Sequence, residues 1–114
     1  MSKKLIIPSN LKMIRRFKNK IDGYIIGIDG LSVNMPCYFK LDEAVNIIKK
    51  YSDKEIFISL NKNMHDSDLE PLKKVLLKLN KTKVKGIIFY DISIVNLTKE
   101  LNLSLNLVWN QEHM

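Results

Sequence analysis

Five short apolar runs, each separated from the next by a stretch with helical spacing, leave this chain very few folds. The runs are "KLIIP", "GYIIGID", "EIFISL", "GIIFYDI" and "LSLNLVW". Between the second and third, Leu41, Ala44, Val45, Ile48 and Tyr51 recur at i, i+3, i+4 and i+7, so the spacing predicts an amphipathic helix over 41–51. Asp42 and Glu43 fall in its first turn, where the helix dipole favours anions. Leu69, Leu72, Leu76 and Leu79 mark another helix, beginning near Ser67 or Asp68 because Pro71 is tolerated only at a helix start. Leu11, Ile14, Phe17 and Ile21 mark the first helix, and a short one spans about Ile94 to Leu101.

The first four runs are almost continuously apolar, as parallel strands buried on both faces are. The fifth alternates, with Leu103, Leu105, Leu107 and Trp109 set against Ser104, Asn106 and Asn110, so one of its faces meets a different environment. A faint repeat relates "IDGYIIGID" to "VKGIIFYDI", and the glycine ahead of each strand, Gly23 and Gly86, is expected to close a helix-to-strand turn. The order is strand-helix throughout, which requires an α/β fold with a parallel β-sheet and right-handed crossovers. A doubly wound sheet usually carries a glycine-rich turn after its first strand. Here that turn is "PSNLK", without glycine. A whole (β/α)-barrel takes about 250 residues. With 114 residues the chain supplies a little over four βα units, so the expectation is one (β/α) domain over 1–114, the N-terminal half of a truncated TIM-type barrel.

Charge narrows the function classes. Nineteen basic against twelve acidic side chains give +7, most of it lysine. Lysine spread over helix faces reads first as solvation. The first helix carries Lys12, Arg15, Arg16, Lys18 and Lys20, but only Phe17 is aromatic there and the spacing assigns it to the core. A solvated face is therefore preferred over an RNA-binding one. Cys37 is the single cysteine, in the apolar context "MPCYF", and reads as a buried structural thiol. With no disulfide, the expected compartment is the reducing cytoplasm. No window reaches the length of a membrane span, and "MSKKLIIPSN" is too short and too broken by Pro8 for a signal peptide. No metal or other cofactor is expected, since one cysteine and two distant histidines cannot close a four-ligand site. Glu112 and His113 read as a frayed terminus.

In "FISLNKNMHD" an apolar strand breaks into amides, an ammonium and an imidazole within one step. Barrels keep their working residues at the C-terminal ends of strands, which explains such a switch. Other strand ends agree: Asn10 after strand one, Asp29 after strand two, Tyr90 and Asp91 after strand four, Asn110 and Gln111 after strand five. Asn and Asp are also good turn residues, and that accounts for part of the pattern. His65 could act as a general base or a phosphate contact, or be an exposed loop histidine beside a helix N-terminus, and Asp29 with Asp91 could form an acid/base pair across the mouth or bind a cation. The candidate catalytic set is thus Asp29, Asn61, His65 and Asp91. The candidate ligand-binding set is Asn10, Tyr90, Asn110 and Gln111.

Taken in order, "IIPSNLKMI", "IDGYIIG", Phe39 in "YFKLDEAV", "ISLNKNMHDSDLEPL" and "KVKGIIFYD" resemble the N-terminal part of the collagenase-like peptidase family, whose catalytic type is unassigned. The resemblance spans nearly the whole chain. It implies a (β/α)-barrel and either peptide hydrolysis or the oxygen-independent hydroxylation of RNA bases or quinones attributed to some members. The family's Gly-rich, Arg-containing stretch is "IDGLSVNMPCYF" here, without arginine, and its Cys-rich distal half, which holds an iron–sulfur cluster in some members, has no counterpart. The expected function is a peptidase-family protein with a peptide or small polar ligand at the strand ends, incomplete alone. The alternative is an RNA-associated regulatory module of the glycerol-responsive antiterminator type, although the Gly-rich phosphate loop of those proteins is missing. Four or five parallel strands cannot close a barrel, so the expected partner is a second copy, with Trp109 near the dimer interface, or the missing C-terminal half.

Overall fold

The computed structural model describes residues 3–109. The elements are β1 (Leu5–Ile6), α1 (Leu11–Phe17), β2 (Gly23–Gly27), α2 (Leu41–Lys50), β3 (Glu55–Leu60), α3 (Leu69–Leu79), β4 (Gly86–Phe89), α4 (Ser93–Glu100) and β5 (Leu107–Trp109). A 3₁₀ turn, Asp66–Asp68, leads into α3. The sheet is wholly parallel, and its spatial order is the sequence order β1-β2-β3-β4-β5. A doubly wound sheet reverses direction after its first half. This one never reverses, so it has the strand succession of a (β/α)-barrel. Right-handed crossovers in such an order place all four helices on one face of the sheet.

The register shows which side chains meet those helices. Ile26, Ile58, Ile87 and Leu107 lie in one row, and Tyr24 is level with Ile56. Tyr24, Ile26, Ile56, Ile58, Leu60 and Ile87 are all essentially inaccessible to solvent. They pack on Ile14 of α1, Ala44 and Ile48 of α2, Leu72 and Leu76 of α3, and Ile94 of α4. Each large aliphatic side chain buried there contributes about 1.5–3 kcal/mol before chain entropy is counted.

Alternate positions face away from the helices. Ile25 and Phe57 form one row there, and Ser59, Ile88 and Val108 another. Ile25, Phe57 and Ile88 are half-buried, Val108 is exposed, and none of them belongs to the packed core. The upper part of this face is covered by the connection 28–40. Phe39 pairs beside Ile28, donating its N–H to the Gly27 carbonyl and taking the edge position that β1 has already vacated. The Ser32 hydroxyl accepts the Ile28 N–H at 2.7 Å and donates to the Ser59 carbonyl. Met35 lies directly over Gly27, where a Cβ would approach its Cγ to 2.9 Å.

The structure adjusts several expectations. Gly23 and Gly86 begin strands rather than closing turns. A Cβ on Gly23 would lie 1.9 Å from the Glu55 carbonyl oxygen, so close backbone approach requires glycine there. The first helix ends at Phe17, leaving Ile21 in the following loop. The fifth strand starts only at Leu107, although Leu103 and Leu105 pack inward from irregular chain. Among the described residues, no helix is long and apolar enough to cross a membrane.

Candidate functional site

The C-terminal ends of β3 and β4 open onto a cleft of about 430 Å³ lined by Val33, Asn61, Lys62, Asn63, His65 and Tyr90. Its walls come from three connections: Val33 from β2–α2, Asn61 to His65 from β3–α3, and Tyr90 from β4–α4. Parallel strands in register bring these loops to one end, because every strand delivers its C-terminus to the same rim.

Asn61 joins two of the walls. Its Oδ1 accepts the Val33 N–H at 2.9 Å and its Nδ2 donates to the Val33 carbonyl at 3.0 Å. The side chain thus completes the backbone hydrogen bonding of the β2–α2 connection. Lys62 strengthens the same junction, its ammonium lying 3.0 and 3.1 Å from the two Asp68 oxygens and 3.4 Å from the Gly30 carbonyl. Asp68 also accepts the His65 N–H at 2.9 Å. That hydrogen bond first, and the Lys62 ammonium second, hold the Asp68 carboxyl below the ordinary aspartate value.

Asp91 fixes the second hinge of the cleft. One carboxylate oxygen accepts the Met64 N–H at 2.7 Å and the other the Ser93 N–H at 2.9 Å. Burial pushes this carboxyl up, but the N–H groups of Ser93 and Met64 outweigh burial and leave it below its ordinary value. The β3–α3 loop is therefore held at Asn61, Lys62, Met64 and His65, while the His65 and Asn63 side chains remain exposed at the opening.

Of the residues singled out from sequence, Asn61, His65 and Tyr90 meet in this cleft, with Asp91 supporting it from behind. Asn10 does not line it. It caps α1, accepting the Met13 N–H at 2.9 Å, beside a separate cleft with Lys12, Arg15 and Arg16. Asp29 is exposed at the end of the β2 extension, outside the cleft lining. Asn110 and Gln111 lie outside the described residues. Val33, Lys62 and Asn63 were not singled out as site residues. Lys62 and Asn63 belong to the polar stretch that followed β3, whereas Val33 carries no sequence signal because its role is played by its backbone.

Cys37 is half-buried, with its sulfur 3.5 Å from the Pro8 carbonyl, and burial pushes its thiol up, away from the thiolate a nucleophile needs. Among the described residues no three His, Cys, Asp or Glu side chains lie together as a metal site would require. A four-thiolate iron–sulfur cluster does not fit a chain with one cysteine.

These features define an all-parallel α/β protein with barrel strand order and a polar cleft at the C-terminal rim of its sheet. The model of Peptidase family U32 matches residues 13–113, and the chain belongs to that family. Comparison with curated proteins and with solved structures found no match.

Proposed function

We propose that the cleft over β3 and β4 binds a peptide or a similar small polar ligand and that His65 is its general base. Support comes from the family and from one observation above all: the cleft collects an imidazole, two amides, an ammonium and a phenol at the rim where (β/α) proteins perform chemistry. Peptide groups need both hydrogen-bond donors and acceptors, and Asn63 and Tyr90 offer both. In hydrolysis, neutral His65 would take a proton from water as its oxygen bonds to the peptide carbonyl carbon. The same proton would then pass to the leaving nitrogen as the C–N bond breaks. Asn61, Asp68 and Asp91 would act as positioning residues that keep the loops in place.

Calorimetric titration with capped tripeptide amides, paired with a cleavage assay on the same peptides, tests this reading. His65→Ala is expected to remove cleavage and Asn63→Ala to weaken binding by about tenfold, the loss of roughly one well-made hydrogen bond. Lys12→Ala, in the separate cleft beside α1, should change neither. Binding and cleavage unaffected by both cleft variants would contradict the proposal.

A further inference from the structure

Leu11 has the spacing of a core residue but not the burial. Ile14, on the same helix, is wholly buried, whereas Leu11 is 45% exposed. The reason is the gap beside it. α1 is only seven residues long, and it meets α2 less closely than α2 meets α3 or α3 meets α4. A groove of about 260 Å³ lies between the two helices. Leu11 and Arg15, one turn apart on α1, form one wall, and Glu43, Ile47 and Lys50 run along α2 as the other, with Tyr51 just beyond.

The floor of the groove is apolar and held in place. Ile47 and Tyr51 are almost wholly buried and show the groove only their outermost atoms. The Tyr51 ring meets Tyr24 edge-on at 6.3 Å, and the Tyr24 hydroxyl donates to the Ile14 carbonyl of α1. One side chain of the sheet thus ties the floor to both helices. A ligand would find the surface formed and would not have to order it.

The margin of the groove is cationic. Neither Arg15 nor Lys50 has an ion-pair partner among the described residues. The Lys50 ammonium lies 5.7 Å from the centre of the Tyr51 ring, at the edge of the floor. Glu43 is turned back on its own helix, where its carboxylate accepts the Lys40 N–H at 2.8 Å. Parallel strands make α1 and α2 run the same way, so Arg15 and Lys50, both in last turns, fall toward one end of the groove and Leu11 toward the other. Helix dipoles favour cations in last turns, but they give no reason for the exposed leucine and apolar floor beside them.

We propose that the groove between α1 and α2 binds a small amphipathic carboxylate, a free acid with an apolar chain of about eight carbons. The guanidinium fork of Arg15 matches a carboxylate with two parallel hydrogen bonds, and Lys50 adds a second charge at the same end. The chain would lie over Tyr51 and Ile47 and end against Leu11. From Lys50 back to Glu43 the helix rises about 10 Å, the length of such a chain when extended. The volume falls just below the range of drug-sized ligands, which suits a small one. The groove shares no residue with the His65 cleft and is independent of the peptide reading.

The test is a ¹H–¹⁵N NMR titration of the full chain with octanoate, run beside octan-1-ol, acetate and N-acetyl-leucine. Octanoate should bind with a Kd of about 0.5 mM, ordinary for a ligand of about ten non-hydrogen atoms, and shift the amides of Arg15, Ile47, Lys50 and Tyr51. Octan-1-ol, which lacks the charge, and acetate, which lacks the chain, should each bind at least about tenfold more weakly. Arg15→Gln should weaken octanoate at least about tenfold and Leu11→Gln about threefold. Arg16→Gln removes the same charge from the neighbouring cleft on α1 and should change the Kd less than about twofold. The dispersion of each spectrum establishes that the variant folds; if Arg15→Gln does not, Lys50→Gln replaces it, with a loss of about threefold expected. Equal affinity for octanoate and octan-1-ol, equal losses in the Arg15 and Arg16 variants, tighter binding of N-acetyl-leucine than of octanoate, or no shifts at about 5 mM octanoate would each overturn the proposal.

Discussion

Asn61 shows what a strand-end residue can and cannot reveal in sequence. Its position after an apolar run marked it as belonging to the rim. Its two hydrogen bonds to Val33, 28 residues away in sequence, depend on how the 28–40 connection folds back, and no local pattern carries that information. Asn61→Ala leaves both Val33 backbone groups without their partner and should cost about 1–3 kcal/mol. Urea denaturation of wild type and variant measures this, and a cost near zero would mean that water replaces the amide freely. Asp91 was likewise visible as a carboxylate at the rim, and Asp68 only as the start of a helix, but the work of both is to accept backbone N–H groups. Both sit below the ordinary aspartate value in the fold. Their stabilisation is therefore complete above the unfolded value of about 3.9 and is lost as pH falls through the lower, folded values. Hydrogen-exchange protection at Met64, His65 and Ser93, taken relative to the intrinsic rate at each pH, should fall selectively on acidification below about pH 4. Protection that persists at those amides while the sheet opens first would contradict this assignment. Gly23 was legible as a glycine with a purpose, though the purpose is the close passage of the Glu55 carbonyl, 1.9 Å from where a Cβ would stand, and not a turn. Gly23→Ala should cost about 1–3 kcal/mol as overpacking, read from the same denaturation curves.

At the scale of elements, legibility follows length and burial. The spacing 41–51 anticipates α2 to within a residue, because a strongly amphipathic helix on a sheet keeps its 3.6-residue period throughout. The leucines of α3 do the same, and Pro71 sits in the first turn of that helix as its lack of an N–H requires. The edges are where local reading fails. Only Leu5 and Ile6 of "KLIIP" pair with β2, and only Leu107 to Trp109 of "LSLNLVW" pair with β4. Apolar character persists outside the paired part: Leu103 and Leu105 pack on the core from irregular chain, held in part by Ser104 donating to Asn80 at 3.0 Å. Where pairing begins is fixed by the neighbouring strand, and β4 itself begins at Gly86. Leu76, wholly buried in α3, should lose about 2–5 kcal/mol on truncation to alanine. Leu77, exposed on the same helix, should lose less than about 1 kcal/mol. Thermal or urea unfolding distinguishes the two, and similar losses would mean that α3 is rotated about its axis.

The whole molecule carries two consequences of an unreversed strand order. One sheet face is packed under four helices, while the other presents Ile25, Phe57, Ile88 and Val108 with partial exposure. Apolar surface of this kind is uncommon on monomers, and among the described residues β1 and β5 each pair with one neighbour only. We expect self-association through this face, with Trp109, 45% exposed and stacked edge-to-face on Phe89 at 5.4 Å, near the contact. Light scattering over a concentration series should show a species above 13.3 kDa that Phe57→Glu returns to that mass. A 13.3 kDa species at every concentration would mean that the face stays solvated. The second consequence is that all the strand C-termini share one rim, and the functional proposal rests on the cleft at that rim. The most direct test is a two-dimensional ¹H–¹⁵N NMR titration of the full chain with capped tripeptide amides. The account predicts shifts concentrated at Val33, at the side-chain amides of Asn61 and Asn63, and at His65 and Tyr90. Shifts confined to the groove between α1 and α2 or to the cleft beside α1, or no shifts at millimolar peptide, would contradict it.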